Sequence, residues 1–257
     1  MADDVNKGSM GRKVFFLHPS AFMLNAQIID ELAQEEFEVY IIKDEAKIRQ
    51  ALELYPDSIL FASINEALKE NVWIDLIRDI HNNPITAAVD IAFLASTSDE
   101  LVKQKYTGLF DFNCGYTVVK SDVEKATKEI VAILNKVNAK GRRKFIRLVT
   151  DKENTTVNIP INAAFKNGNI KDISIVGFSC TFAEDPVLPK NGLYGNIQIK
   201  LQGQLLKAEA IVFGSRMDGD EKVYVFLFTK RMDPSIQAKI RKYIQTKLQS
   251  KMDEELK

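Results

Sequence analysis

Asn138-Ala139-Lys140-Gly141-Arg142-Arg143-Lys144-Phe145-Ile146-Arg147 separates two kinds of sequence. Before it, short apolar runs alternate with stretches whose apolar residues recur every three or four positions, the pattern of strands followed by amphipathic helices. After it the period drops to two, the pattern of strands with one wet face. The segment itself is polar and rich in arginine, with a glycine at its centre, so it reads as a connector. The spacing therefore predicts a loose tail over 1–11, an α/β domain over 12–138 and a β-rich domain over 139–257, opened by the connector at 139–147.

Working back from the connector, Val14-Phe15-Phe16-Leu17, Val39-Tyr40-Ile41-Ile42, Ile59-Leu60-Phe61, Ile91-Ala92-Phe93-Leu94 and Tyr116-Thr117-Val118-Val119 are five strand candidates. Between them lie a helix capped by Ser20 with Leu24, Ile28 and Leu32 on one face, a second over 46–54, a third with Val72, Leu76 and Ile80, and a short one near Leu101. Ser121 and Glu124 form a capping box ahead of Val123, Ala126, Ile130, Ile133 and Val137. Five strand–helix units of this length imply a parallel sheet covered on both faces, a flavodoxin-like doubly wound domain.

Working forward, Val157-Asn158-Ile159, Ile197 to Leu201 and Val223 to Phe228 read as strands, and Met217-Asp218-Gly219-Asp220 as a hairpin turn. Strands without intervening helices suggest a small antiparallel barrel. Asp233 and Pro234 start a closing helix, whose Ile236, Ile240, Ile244 and Leu248 form a packing stripe for the barrel.

Composition narrows the function classes. The 257 residues are 46% hydrophobic and 27% charged, with 35 basic and 35 acidic residues, a soluble globular balance and no generic polyelectrolyte. The halves differ: residues 1–140 carry 22 acids and 15 bases, residues 141–257 carry 13 and 20, so the second half is the more tolerant of an anion. Cys114 and Cys180 lie far apart without a Cys/His cluster, which argues against a disulfide framework or a structural metal. No apolar run approaches the roughly 18 residues of a membrane span, and no secretory signal is visible, so a cytoplasmic location is expected. The chain also lacks a G-x-S-x-G elbow, an H-E-x-x-H helix and a P-loop, and the expectation is a protein that is not an enzyme and carries no cofactor.

The five-unit first half resembles a response-regulator receiver domain. The resemblance implies an acidic pair after the first strand, a phosphoacceptor Asp ending the third, a hydroxyl after the fourth and a Lys after the fifth. Here those positions read His18-Pro19, Ala62-Ser63, Ala95-Ser96 and Lys120, so only Ser96 and Lys120 match. Magnesium needs hard carboxylate oxygens and a phosphoryl acceptor needs its own carboxylate, so the expectation is a pseudo-receiver. His18 and His81 read as structural residues, His81 at a helix end.

In the second half, Asp172-Ile173-Ser174-Ile175-Val176-Gly177 alternates so that Ile173 and Ile175 share one face and Asp172 and Ser174 the other. Gly177 permits a turn or a close backbone approach. Together with Arg143 and Arg147, this stretch resembles the PilZ domain over about 140–249, matching R-x-x-x-R and D-x-S-x-x-G. The resemblance implies a receptor for cyclic di-GMP. Arg143 and Arg147 would clasp the dinucleotide with Arg142 in support, Asp172 and Ser174 would read a guanine edge, and Gly177 would keep the surface open. The residue types suit that ligand: arginine forks onto phosphate or onto guanine O6 and N7, and a carboxylate accepts from guanine N1–H and N2–H₂. The implied activity is an effector that turns second-messenger binding into a domain rearrangement or a partner interaction, in motility or a related behaviour. Its N-terminal domain would meet a protein partner, with neither DNA binding nor membrane insertion. The other reading is a PilZ-type adaptor that binds no nucleotide.

Overall fold

The computed structural model describes residues 11–109, 114–119, 122–151, 154–162 and 164–257. Of these residues, those up to Lys144 together with Gln249–Lys257 form one compact unit, and those within Phe145–Leu248 form the other.

The first unit is built on five strands: β1 (Val14–Leu17), β2 (Val39–Ile42), β3 (Ile59–Ser63), β4 (Asp90–Ala95) and β5 (Tyr116–Val118). They pair in parallel in the order β2-β1-β3-β4-β5, the doubly wound arrangement expected. Successive strand residues point to opposite faces, and a sheet covered twice needs both faces apolar. All four residues of β1 are accordingly buried, with Phe16 stacked on Phe61 at 4.9 Å in one layer and Phe15 against Tyr40 at 5.6 Å in the other. The helices are α1 (Ala21–Asn25), α2 (Ile28–Gln34), α3 (Glu45–Leu54), α4 (Glu70–Asn82), α5 (Glu100–Leu109) and α6 (Val123–Lys136).

Three local readings are corrected. The helix after Ser20 is two helices: Ser20 Oγ does accept from Met23 N, but Gln27 takes φ +58 and breaks the run into α1 and α2. On α4 the buried face is Trp73, Leu76, Ile77 and Ile80, whereas Val72 is exposed. α6 is capped by Asp122, whose carboxylate accepts from Lys125 N at 2.9 Å. Ser121 and Lys120 lie outside the described residues, as do residues 1–10 of the expected tail. Just past that tail, Arg12 N donates to Ala139 O at 2.8 Å. The Arg12 guanidinium also reaches the carbonyls of Val137 and Ser58 and the carboxylate of Asp90.

α6 ends in a motif that sets the chain's exit. Asn138 adopts φ +53, its N–H returns to Asn135 O, and Ala139 N–H returns to Leu134 O. That paired return satisfies two carbonyls at the helix end, and asparagine is among the few residues that tolerate the left-handed position.

The second unit is a closed antiparallel barrel. Its strands are β6 (Leu148–Val149), β7 (Thr155–Ile161), β8 (Ala164–Ser174), β9 (Gly177–Phe182), β10 (Leu193–Leu201), β11 (Gln204–Asp218) and β12 (Glu221–Phe228). Six close the ring in the order β8-β7-β10-β11-β12-β9, with β9 pairing back on β8, while the two-residue β6 adds to β8. Inward residues fill it, Phe178 stacking on Phe226 at 4.9 Å, and each large side chain so buried contributes about 1.5–3 kcal/mol. The 217–220 hairpin stands as read, with Gly219 at φ +60.

The closing helix α7 runs from Pro234 to Glu255. Asp233 accepts from Ser235 N at 2.7 Å at its start. Ile240 and Ile244 enter the barrel core, with Ile236 and Leu248 packed beside them. The residues from Gln249 onward belong to the first unit. Cys114 and Cys180 are both buried free thiols, and burial pushes Cys114 up to about 11.

Candidate functional site

The site begins with a parity change in β8. Ile170 and Ile173 both point into the barrel core although they are three residues apart. Strict alternation would send Ile173 outward, so one extra residue is needed between them. The register against β9 shifts there, between Ile170 and Asp172, leaving Lys171 as the bulged residue. Lys171 is held by Asp218 at 2.7 Å and Glu221 at 3.4 Å, and the hydrogen bond it donates to Asp218 raises its ammonium above the ordinary lysine value. The bulge turns Asp172 outward.

On that outer face, Arg147 Nη1 lies 3.3 Å from Asp172 Oδ1. Ser179 Oγ donates to Asp172 Oδ2 at 2.5 Å. The arginine precedes β6, whose Leu148 and Val149 pair with Ile173 and Asp172, so the register of β6 delivers the guanidinium to the carboxylate. The Arg147 side chain is 39% exposed and that of Asp172 is 15%. An ionised carboxylate offers about four acceptor positions, so two contacts leave capacity for further donors.

Ser174 and Gly177 take a different position. They pair across the two-residue turn Ile175–Val176, and the Ser174 hydroxyl donates to Gly177 O at 3.2 Å, buried within the hairpin. A Cβ on Gly177 would lie 2.1 Å from the carbonyl oxygen of Phe226, so β12 approaches too closely for any other residue. Arg147 and Asp172 are thus brought together, and the hydroxyl beside the carboxylate is that of Ser179. Sequence reasoning passed over Ser179. Its signal was the turn: once Ser174 pairs with Gly177, antiparallel counting sets Asp172 opposite Ser179. Arg142 and Arg143 are exposed and stand five and four residues before Arg147.

The carboxyl ends of the parallel strands form the other place where a doubly wound fold binds ligands. Ala62 is wholly buried at the end of β3. Beyond it, Ser20, Ser63, Asn65, Glu66 and Ser96 line a hollow of about 10 Å³, the room of about one water. Asn65 accepts from Ser96 N at 2.8 Å, while the buried Ser63 hydroxyl has no hydrogen-bond partner among the described residues. His18, at φ +49, holds Glu45 at 2.7 Å and meets the Trp73 ring edge-on. Among the described residues no three His, Cys, Asp or Glu side chains gather as a metal site, and no helix is long and apolar enough to cross a membrane.

No protein-family model matches the chain, and neither does any curated protein. Solved structures do. The chain is similar to YcgR in complex with c-di-GMP from Escherichia coli, at 14% identity over 45% of this chain and 50% of that one, with a TM-score of 0.39. It is similar to the PilZ domain with c-di-GMP of the Escherichia coli YcgR, at 15% over 44% and 95%, with a TM-score of 0.37. It is similar to the Bacillus subtilis inhibitor of motility MotI/DgrA, at 16% over 43% and 52%, with a TM-score of 0.38. The chain spans about half the length of the first and third of these. The ligand and the role in those names are those proteins' own.

Proposed function

We propose that the chain is a non-enzymatic receptor of PilZ type for cyclic di-GMP, with residues 139–257 as the sensing domain and 12–138 as a pseudo-receiver that meets a protein partner. The observation that carries the reading is the Arg147–Asp172 pair on the outer face of the barrel, at a bulge that turns the carboxylate out. A guanidinium and a carboxylate held 3.3 Å apart present opposite hydrogen-bonding characters to one ligand, as a guanine with a phosphate requires. Arg143, four residues back, is tethered within about 14 Å of Arg147 whatever path the connector takes, so it supplies a second fork, with Arg142 beside it. In this reading Asp172 accepts from the guanine edge, and Ser174 and Gly177 act through the hairpin that presents it.

The connector 139–147 gathers crowded cations, and a doubly anionic ligand neutralises them. Ordering of that segment is the proposed route from binding to a domain rearrangement or an altered partner surface. Arg147 already satisfied by Asp172 is the observation that favours the adaptor reading, in which the pair is purely structural.

Titration calorimetry with cyclic di-GMP, cyclic di-AMP and GTP separates the two. The receptor binds cyclic di-GMP selectively, and Arg143→Ala and Arg147→Ala each weaken it by about 1–3 kcal/mol. Absence of binding by the unaltered chain, or affinity unchanged in both variants, overturns the assignment.

A further inference from the structure

A strand at the edge of a sheet carries unpaired N–H and C=O groups that invite another chain, and proteins cover such edges. β2 is an edge strand, and its cover is unusual. The side-chain amide of Gln249 accepts from Ile41 N at 2.9 Å through Oε1 and donates to Ile41 O at 3.0 Å through Nε2. One glutamine on a helix thus imitates the two-point pairing of a neighbouring strand. Its second Nε2 hydrogen goes to Asp253 Oδ1 at 2.9 Å, one turn on, which sets the orientation of the amide. Beyond it Tyr55 OH donates to Glu255 Oε2 at 2.5 Å, Gln50 Nε2 reaches Glu255 O at 3.4 Å, and Met252 and Leu256 are both buried to 2%. Gln249, Met252 and Leu256 stand at i, i+3 and i+7, a single helix face. The contact is specific in polar pairing, in apolar spacing and in sequence.

We propose that the β2 edge is a helix-docking site recognising Gln-x-x-Met-x-x-x-Leu, occupied in cis by residues 249–257 and able to take the same segment from a second copy of this chain. Docking is reversible, because the segment holds its site through one face of two helical turns. A tethered segment competes at an effective concentration on the order of millimolar, so the cis form dominates in the unaltered chain.

The test uses the full chain carrying Gln249→Ala with Met252→Ala, titrated with a fluorescent peptide of residues 245–257 and read by anisotropy. Saturable binding at least tenfold tighter than to the unaltered chain is expected, and a peptide with its own Gln249→Ala should lose at least tenfold. Equal binding by the two chains, or none by the doubly altered one, overturns the proposal. Gln249→Ala alone removes little apolar packing and keeps the proposal testable if the double variant misfolds. Amide exchange at Ile41 should then quicken at least tenfold while Phe15 and Phe16 stay protected, and unchanged exchange at Ile41 overturns it equally.

Discussion

The carboxyl end of the parallel sheet and the outer face of the β8–β9 hairpin are both places where a fold offers ligand chemistry, and they differ in what fills them. At the sheet end the scaffold is intact, with β1, β3 and β4 ending side by side, yet the ends carry Ala62, Ser63 and Ser96, and the hollow left is about the size of one water. At the hairpin the scaffold departs from regularity by a bulge, and the charged pair is kept. Topology alone supplies no carboxylate at the sheet end, whereas one extra residue in a strand can turn an acid outward where no topological rule would look for it. Function follows the side chains that the backbone presents.

The comparison can be broken most forcefully by returning a carboxylate to the sheet end. Ala62→Asp places an uncompensated charge at a wholly buried position, with histidine and proline where a metal site would need acids. The expected cost is about 3–5 kcal/mol in denaturant unfolding, unrelieved by magnesium. A variant that regained stability on adding magnesium would show that the crevice can hold a cation its residues do not suggest.

At the hairpin, Gly177→Ala drives a Cβ to 2.1 Å from a backbone carbonyl on β12. Strand backbone yields poorly, so a loss of about 1–3 kcal/mol or more is expected in thermal unfolding. The matched Gly108→Ala, with nothing within 4 Å of the new methyl, should cost nothing. Equal behaviour of the two would mean that β9 and β12 can separate without penalty.

The smallest effect concerns Asp185, an acid tied by more donors than Asp172. Asp185 accepts from Tyr224 OH, from Lys222 Nζ at 2.9 Å and from Val187 N at 2.9 Å. Those bonds, that from Tyr224 foremost, lower its pKa from 3.8 to about 2. A carboxyl depressed by folding adds stability that is fully present above 3.8 and disappears as the pH falls through about 2. Melting temperature followed from pH 5 to pH 2 should therefore fall less steeply for Asp185→Asn than for the unaltered chain. The difference is small because the group is exposed to solvent.

Much of this architecture is legible in the sequence, for reasons particular to each part. Val14–Leu17 and Ile59–Phe61 are short continuous apolar runs, as strands covered on both faces are. Ile197, Ile199 and Leu201 alternate without interruption, and their strand is where they predict. What escapes is whatever depends on a single dihedral or on register. Nothing local marks Gln27 as left-handed, so two helices read as one. Trp73 and Val72 are adjacent, and a spacing of four chose the wrong one. The Asp172–Ser179 contact needed the hairpin turn before it could be counted. Met252 and Leu256 continue the every-fourth-residue series of Ile240, Ile244 and Leu248, so the signal for the last two turns is visible in the sequence beyond the stripe that packs on the barrel.

That series has a geometric cost. A step of four residues overshoots a full helical turn by about 40°, so from Ile236 to Leu256 the apolar line winds roughly 200° around α7. The residues of α7 up to Leu248 belong to one compact unit and those from Gln249 to the other. Dissection of the gene at the connector therefore cuts through neither unit cleanly. A fragment ending at Lys144 leaves behind the glutamine that covers its outermost strand, and it should stick to itself through the bare amide and carbonyl of Ile41.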